Sequence, residues 1–81
     1  MWYQNGKLHR NGDLPAVVDK KITKWYQHGL LHRVNGPAII KGTSEKWFQF
    51  GVLHREDGPA VIKGDSVQYW KDGTRYYPDG E

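Results

Sequence analysis

Residues 47–60 read WFQFGVLHREDGPA, and this stretch decides the fold because nearly the same sequence occurs three times. Residues 25–38 read WYQHGLLHRVNGPA, and residues 2–16 read WYQNGKLHRNGDLPA. A fourth copy begins at Tyr69, so successive copies start 23, 22 and 22 residues apart. This period is the length of one supersecondary unit and predicts a repeat array within a single domain, residues 1–81. We divide the array into residues 2–24, 25–46, 47–68 and a partial copy, 69–81.

Glycine and proline leave little room for a helix, because the longest stretch free of both has 13 residues, 16–28, and is rich in β-branched side chains. Asn-Gly or Asp-Gly pairs predict tight turns in which Gly takes a positive φ. These pairs are Asn5-Gly6, Asn11-Gly12, Asn35-Gly36, Asp57-Gly58, Asp72-Gly73 and Asp79-Gly80. The segments between the turns predict short strands. Pro37 and Pro59 would be the first residues of two of these strands, and Lys46-Trp47-Phe48 and Gln68-Tyr69-Trp70 would form the strands that pair back with them.

The predicted fold is therefore all-β: about 3.5 hairpin repeats in a twisted antiparallel meander. The first copy carries one extra residue in the segment 10–15, a length change that is tolerated in a turn. The last copy departs from the pattern, as expected of a terminal cap. The chain has no cysteine, and its start lacks the pattern of a secretion signal, so we expect a cytoplasmic protein.

The Gly-x-Leu-His pattern, preceded by a Trp-Tyr-like pair and followed by an Asn/Asp-Gly turn, resembles a MORN-type repeat. It is most similar to the variant arrays of phage and giant-virus proteins and of some bacterial antitoxin-like proteins. Arg10, Arg33 and Arg55 stand where the better-known pattern has a glycine. The resemblance implies an interaction scaffold with no common enzymatic activity.

Aromatic doublets at the start of each copy are the most informative candidate binding residues. Neighbouring strand residues point to opposite faces, so a single-layer sheet with one core would bury one member of each doublet and expose the other, whereas a strongly coiled sheet would bury both rows. Exposed aromatic rows beside arginine bind proteins or stack on bases. The candidate binding residues are Trp25, Tyr26, Arg33, Trp47, Phe48, Arg55 and Trp70. The structural alternative is that each guanidinium stacks on the aromatic row and bonds a turn carbonyl or a nearby acid.

The recurrent histidines His9, His32 and His54 receive a structural interpretation. Equivalent residues two strands apart lie roughly 10 Å from each other, too far for adjacent histidines to share one zinc ion. We expect each imidazole to hydrogen-bond a turn or the neighbouring repeat. Gly36 and Gly58 are also assigned structural roles, and no metal or cofactor is predicted.

Catalysis has little support, because the sequence shows no carboxylate pair placed for acid–base chemistry and no phosphate-binding loop before a helix. We therefore predict a non-enzymatic protein-interaction module, specifically a small phage-type inhibitor that occludes a host defence enzyme. One alternative is binding of nucleic acid or a nucleotide, with phosphates meeting Lys41, Lys46, Lys63, Arg33 and Arg55. Another is a self-assembling structural subunit, including a homodimer through a sheet edge or face. No membrane partner is expected.

Overall fold

The computed structural model describes residues 1–77, and this part of the chain is all-β, with short antiparallel strands and no helix. The all-β prediction is thus confirmed, whereas the turn predicted at Asp79-Gly80 lies outside the described residues. The strands are β1 (Tyr3–Gln4), β2 (Lys7–Leu8), β3 (Val17–Val18), β4 (Thr23–Lys24), β5 (Tyr26–Gln27), β6 (Leu30–Leu31), β7 (Ile39–Lys41), β8 (Ser44–Lys46), β9 (Phe48–Gln49), β10 (Val52–Leu53), β11 (Val61–Lys63), β12 (Ser66–Lys71) and β13 (Thr74–Tyr76).

Seven strands form one sheet in the order β13-β12-β11-β8-β7-β4-β3, with every neighbouring pair antiparallel. The remaining strands form three separate two-stranded hairpins, β1-β2, β5-β6 and β9-β10. A copy such as residues 25–46 therefore contributes a small hairpin first and two strands of the large sheet after it. Within residues 1–77 no helix is long and apolar enough to cross a membrane.

The tryptophan at the start of a copy joins the large sheet to a small hairpin. Trp47 lies between β8 and β9, where its N–H donates to the Ala60 carbonyl at 2.7 Å and its carbonyl accepts from the His54 N–H at 3.0 Å. Trp25 makes the equivalent bonds to Ala38 and His32. The return strand predicted as Lys46-Trp47-Phe48 is therefore wrong in detail, because the chain changes hydrogen-bonding partners at Trp47. In the last copy β12 continues unbroken from Ser66 to Lys71.

The three small hairpins, and the β12-β13 hairpin at the edge of the large sheet, turn through pairs of residues that both have a positive φ, as type I′ turns require. These pairs are Asn5-Gly6, His28-Gly29, Phe50-Gly51 and Asp72-Gly73. The turns predicted to have positive φ at Gly36 and Gly58 are wrong in that respect, since neither glycine has a positive φ. Pro37 and Pro59 also lie two residues before β7 and β11 rather than opening them.

The fully buried positions are small side chains rather than the aromatic rings. Ala16, Ala38 and Ala60 have no exposed surface, and Trp25 and Val61 follow at 8% and 7%. The chain measures 43 × 25 × 16 Å, so it is too thin to hold a deep core. Stability therefore depends on contacts between successive copies, many of which involve polar groups.

Candidate interaction face

A guanidinium lies on the face of a tryptophan ring in each of the first three copies. The distances from arginine Cζ to ring centroid are 3.7 Å for Arg10 and Trp2, 3.8 Å for Arg33 and Trp25, and 3.8 Å for Arg55 and Trp47. In each pair the arginine Nη1 also donates to a proline carbonyl, at 3.3 Å to Pro15, 3.3 Å to Pro37 and 3.1 Å to Pro59. This is the geometry that the structural alternative predicted for the arginines. The same contacts fix the side-chain positions of Arg33 and Arg55, which were also candidate binding residues.

Gly36 and Gly58 cover the opposite face of two of these guanidinium groups. A Cβ at Gly36 would lie 2.9 Å from Cζ of Arg33, and one at Gly58 would lie 2.9 Å from Cζ of Arg55. A Cβ does not approach another atom that closely, so a larger residue would force the guanidinium to shift from its position on the ring. Glycine here allows the close approach of the guanidinium and is not needed for the backbone conformation.

Each recurrent histidine links its copy to the turn of the next copy. Nδ1 accepts the backbone N–H of the first turn residue, at 2.9 Å from His28 to His9, 3.0 Å from Phe50 to His32 and 3.0 Å from Asp72 to His54. An accepting Nδ1 assigns a neutral ring with its proton on Nε2. Nε2 is 2.7 Å from Asn11 Oδ1 in the first copy and 2.8 Å from Glu56 Oε1 in the third.

His32 differs because Val34 occupies the position held by Asn11 and Glu56 in the other two copies. A valine side chain offers no acceptor to Nε2. Burial lowers the pKa of His32 below its usual value of 6.5. Among residues 1–77, no three histidine, aspartate or glutamate side chains are placed to hold one metal ion.

Asp13 occupies a groove between the first and second copies, which we call the first groove. The first groove is lined by Arg10, Asp13, Trp25, Gln27, His32, Arg33, Val34 and Asn35. The Asp13 carbonyl accepts the Trp25 indole N–H at 3.0 Å, and its carboxylate accepts from Arg33 Nε at 2.9 Å and from Nη2 at 3.4 Å. Asp13 belongs to the lengthened loop of the first copy, so the extra residue has a specific contact that sequence reasoning missed. The position of the insertion was the available signal.

The equivalent groove between the second and third copies, which we call the second groove, has no such occupant among residues 1–77. It is lined by Val34, Trp47, Gln49, Arg55, Glu56 and Asp57. Within the described part of the chain, Trp47 Nε1 and Arg55 Nε are buried and have no hydrogen-bond partner. Arg55 Nε lies 3.5 Å from Asp57 Oδ1, which is close enough for an ion pair but too long for a hydrogen bond.

The candidate aromatic residues do not form one open row. Trp25 is buried, and Tyr26, Trp47, Phe48 and Trp70 are half-buried. The arginine side chains are also largely covered, with Arg33 at 18% and Arg55 at 22% exposure. The apolar side chain that projects beside both grooves is instead Val34, which is 64% exposed. Sequence reasoning missed Val34, although it is an apolar residue at a position that is polar, Asn11 and Glu56, in the two neighbouring copies.

Lysines gather on one face of the large sheet. Lys24 and Lys46 lie on either side of Ile39 in the strand register, with Lys41 and Lys63 opposite Ser44 on the neighbouring strands. A shallow depression on this face is lined by Ile22, Lys24, Ile39, Lys41, Ser44, Lys46 and Lys63. Because side chains alternate along a strand, Glu45 belongs to the other face. The register therefore concentrates positive charge on one side of the sheet.

Comparisons with protein-family models, with curated proteins and with solved structures give no match for this chain.

Proposed function

We propose that the protein is a non-enzymatic protein-interaction module whose contact surface consists of the first groove, the second groove and Val34 between them. We call this surface the interaction face. Half-buried tryptophan and arginine side chains next to an exposed apolar residue are characteristic of binding hot spots. The two tryptophan–arginine stacks are held by their glycines and proline carbonyls, so they lose little conformational entropy when a partner binds.

The observation that carries this proposal is the exposed side chain of Val34. Val34 lines both grooves and is 64% exposed. It also deprives His32 of the Nε2 acceptor that Asn11 and Glu56 provide to the other histidines. A residue that removes a stabilising hydrogen bond and exposes apolar surface is explained if a partner covers it.

The resemblance to MORN-like arrays extends this proposal to a biological role. As in the phage-type arrays that the sequence resembles, we propose that the chain is a small inhibitor that acts in the cytoplasm. Its target would be a host defence enzyme that it blocks by occlusion, without chemistry of its own. The ordered face, with its paired grooves, is suited to covering another protein's surface.

Affinity capture of the tagged protein from host lysate, with and without nuclease, tests the proposal. The decisive variant is Val34→Asn, which gives His32 an acceptor as Asn11 does for His9 and removes the exposed apolar group. We expect this variant to be at least as stable as the parent and to capture several-fold less of the partner. Val18→Thr is the matched control, since Val18 is 56% exposed on β3 and lines neither groove. Equal capture by all three proteins would contradict the choice of face.

The lysine face of the large sheet supports a second candidate function, nucleic-acid binding. Lys24, Lys41, Lys46 and Lys63 share this face and could neutralise successive phosphates, whereas Arg33 and Arg55 are already engaged in stacks. Fluorescence anisotropy with single-stranded and duplex oligonucleotides should then show affinity that falls steeply between 50 and 200 mM salt, as expected for about four phosphate contacts. Lys46→Glu should reduce that affinity. No binding at low salt would remove this candidate.

A further inference from the structure

We infer that the second groove binds an acidic turn of the partner protein, with a carboxylate on Arg55 Nε and a backbone carbonyl on the Trp47 indole N–H. This inference rests on the proposed function, because it names the chemistry that the interaction face recognises. It starts from two adjacent grooves: the chain itself fills the first, whereas the corresponding donors of the second lack hydrogen-bond partners among residues 1–77.

The first groove shows which ligand the arrangement accepts. There a single residue, Asp13, provides both acceptors: its backbone carbonyl is 3.0 Å from Trp25 Nε1 and its carboxylate is 2.9 Å from Arg33 Nε. Asp13 follows Gly12, and both have a positive φ, of 57° and 77° respectively. The ligand is therefore an aspartate in a tight turn, which presents a carbonyl and a carboxylate together.

The second groove repeats the same donors. Trp47, Gln49 and Arg55 occupy the positions of Trp25, Gln27 and Arg33, and Arg55 lies on Trp47 at the same 3.8 Å as Arg33 on Trp25. The Trp47 Nε1 and Arg55 Nε donors are buried, and neither has a hydrogen-bond partner among the described residues. Buried donors without acceptors are costly, so an incoming acceptor pair would recover free energy that the chain alone leaves unused.

The loop that could fill the second groove is too short to do so. The first copy has five residues between Arg10 and Ala16, namely Asn11, Gly12, Asp13, Leu14 and Pro15, whereas the second has four between Arg33 and Ala38, namely Val34, Asn35, Gly36 and Pro37. No residue of the shorter loop takes the place of Asp13, and its first residue is the exposed Val34. A partner turn that contacts Val34 would therefore lie next to the Trp47 Nε1 and Arg55 Nε donors.

Asp57 is the residue that the incoming carboxylate must displace. Its carboxylate lies 3.5 Å from Arg55 Nε and its side chain is 89% exposed, so it can turn into solvent at little cost. The first groove has the neutral Asn35 at the corresponding position. Asp57 thus competes with an acidic ligand, and Asp57→Asn should strengthen binding although it removes an ion pair from the free protein.

The full-length protein can be tested with a defined probe, the capped peptide RNGDLP, which has the sequence of residues 10–15. In a 15N-labelled sample, we expect the peptide to shift the Trp47 indole N–H and the Arg55 Nε–H, with much smaller changes at Trp25, whose groove is occupied. The matched peptide RNGNLP should bind several-fold more weakly, because it lacks the charge that strengthens the bond to arginine. Asp57→Asn should increase the affinity for RNGDLP several-fold.

A grafted loop provides an intramolecular version of the same test. Replacing Val34, Asn35 and Gly36 by Asn-Gly-Asp-Leu gives the second copy the loop of the first. We expect slower hydrogen exchange at the Trp47 indole and no remaining response to RNGDLP, because the groove is then filled from within the chain.

The outcomes separate this inference from the proposed function. The acidic-turn inference is overturned if RNGDLP shifts the signals of neither Trp47 nor Arg55, both in the parent and in Asp57→Asn, and the graft leaves hydrogen exchange at the Trp47 indole unchanged. This holds even if Val34→Asn reduces partner capture. Equal binding of RNGDLP and RNGNLP, or an oligonucleotide that shifts the same two signals more strongly, would also overturn it. Peptide binding at Trp47 together with partner capture that is insensitive to Val34→Asn would support the acidic-turn site and contradict the proposed face.

Discussion

Gly58→Ala should destabilise the protein because the added methyl group displaces a stacked guanidinium. The new Cβ would lie 2.9 Å from Arg55 Cζ and 3.0 Å from Arg55 Nε, and these are the nearest atoms to it. The backbone at Gly58 does not have a positive φ, so alanine adds no strain of its own there. Relief of the contact requires Arg55 to leave the Trp47 ring, which lies 3.8 Å from its Cζ, and the Pro59 carbonyl, which accepts from Nη1 at 3.1 Å.

The magnitude follows from the contacts that are lost. The cation–π contact contributes about 1 to 2 kcal/mol in a site as covered as this one, and the Pro59 hydrogen bond contributes about 1 kcal/mol. Against these, alanine restricts the unfolded chain and stabilises by about 0.4 to 1 kcal/mol. We therefore expect a net loss of about 1 to 2.6 kcal/mol, which lowers the melting temperature of a domain this small by roughly 4 to 21 °C.

A double-mutant cycle with Arg55→Ala tests the mechanism rather than the size of the effect. Arg55→Ala removes the three atoms nearest to the added methyl group, so in that background Gly58→Ala should become neutral or stabilising by up to about 1 kcal/mol. Urea unfolding followed by tryptophan fluorescence gives the four free energies. The same loss in both backgrounds would refute the reasoning, because it would place the clash elsewhere. Gly36→Ala is a useful parallel, and it should cost more because Asp13 also holds Arg33.

Three further changes test the contacts between copies. His32→Asn keeps an acceptor for the Phe50 N–H but removes the titrating ring. Because burial lowers the pKa of His32, the parent should lose stability as the pH falls below about 6.5. Between pH 7.5 and 5.5 the urea midpoint should therefore drop less in the variant than in the parent. Equal drops would contradict this sign. Phe50→Asn should raise the melting temperature by a few degrees, because a phenylalanine at φ 52° is strained and asparagine suits a type I′ turn. A lower melting temperature would mean that the contact between the Phe50 and His32 rings outweighs the backbone strain. Asp13→Asn should cost less than about 1 kcal/mol, because the ion pair with Arg33 is partly exposed, and the cost should shrink in 1 M salt; a loss independent of salt would exclude an electrostatic origin.

Local sequence preferences determined the fold class and many of the turns. The spacing of the copies, the β-branched residues and the glycines were sufficient for an antiparallel all-β chain, because strand and turn preferences act over a few residues. The turns at Gly6 and Gly73 follow directly from an Asn or Asp before a glycine, and both residues of each pair have a positive φ. The same dipeptide signal failed at Gly36 and Gly58, where the need for glycine arises from an arginine side chain and not from the backbone.

Only the tertiary structure decided which groups meet between copies. Asp13 reaches Trp25 and Arg33, which are 12 and 20 residues further along the chain, and nothing in the local sequence around Asp13 specifies those partners. The difference between a filled and a vacant groove likewise depends on one residue of loop length and on how the copies stack. Sequence periodicity identifies equivalent positions, but hydrogen bonding and burial depend on the neighbouring copy, and the neighbours of Trp25 and Trp47 differ. For that reason the repeat could be found from the sequence alone, whereas the unpaired donors of Trp47 and Arg55 required the folded chain.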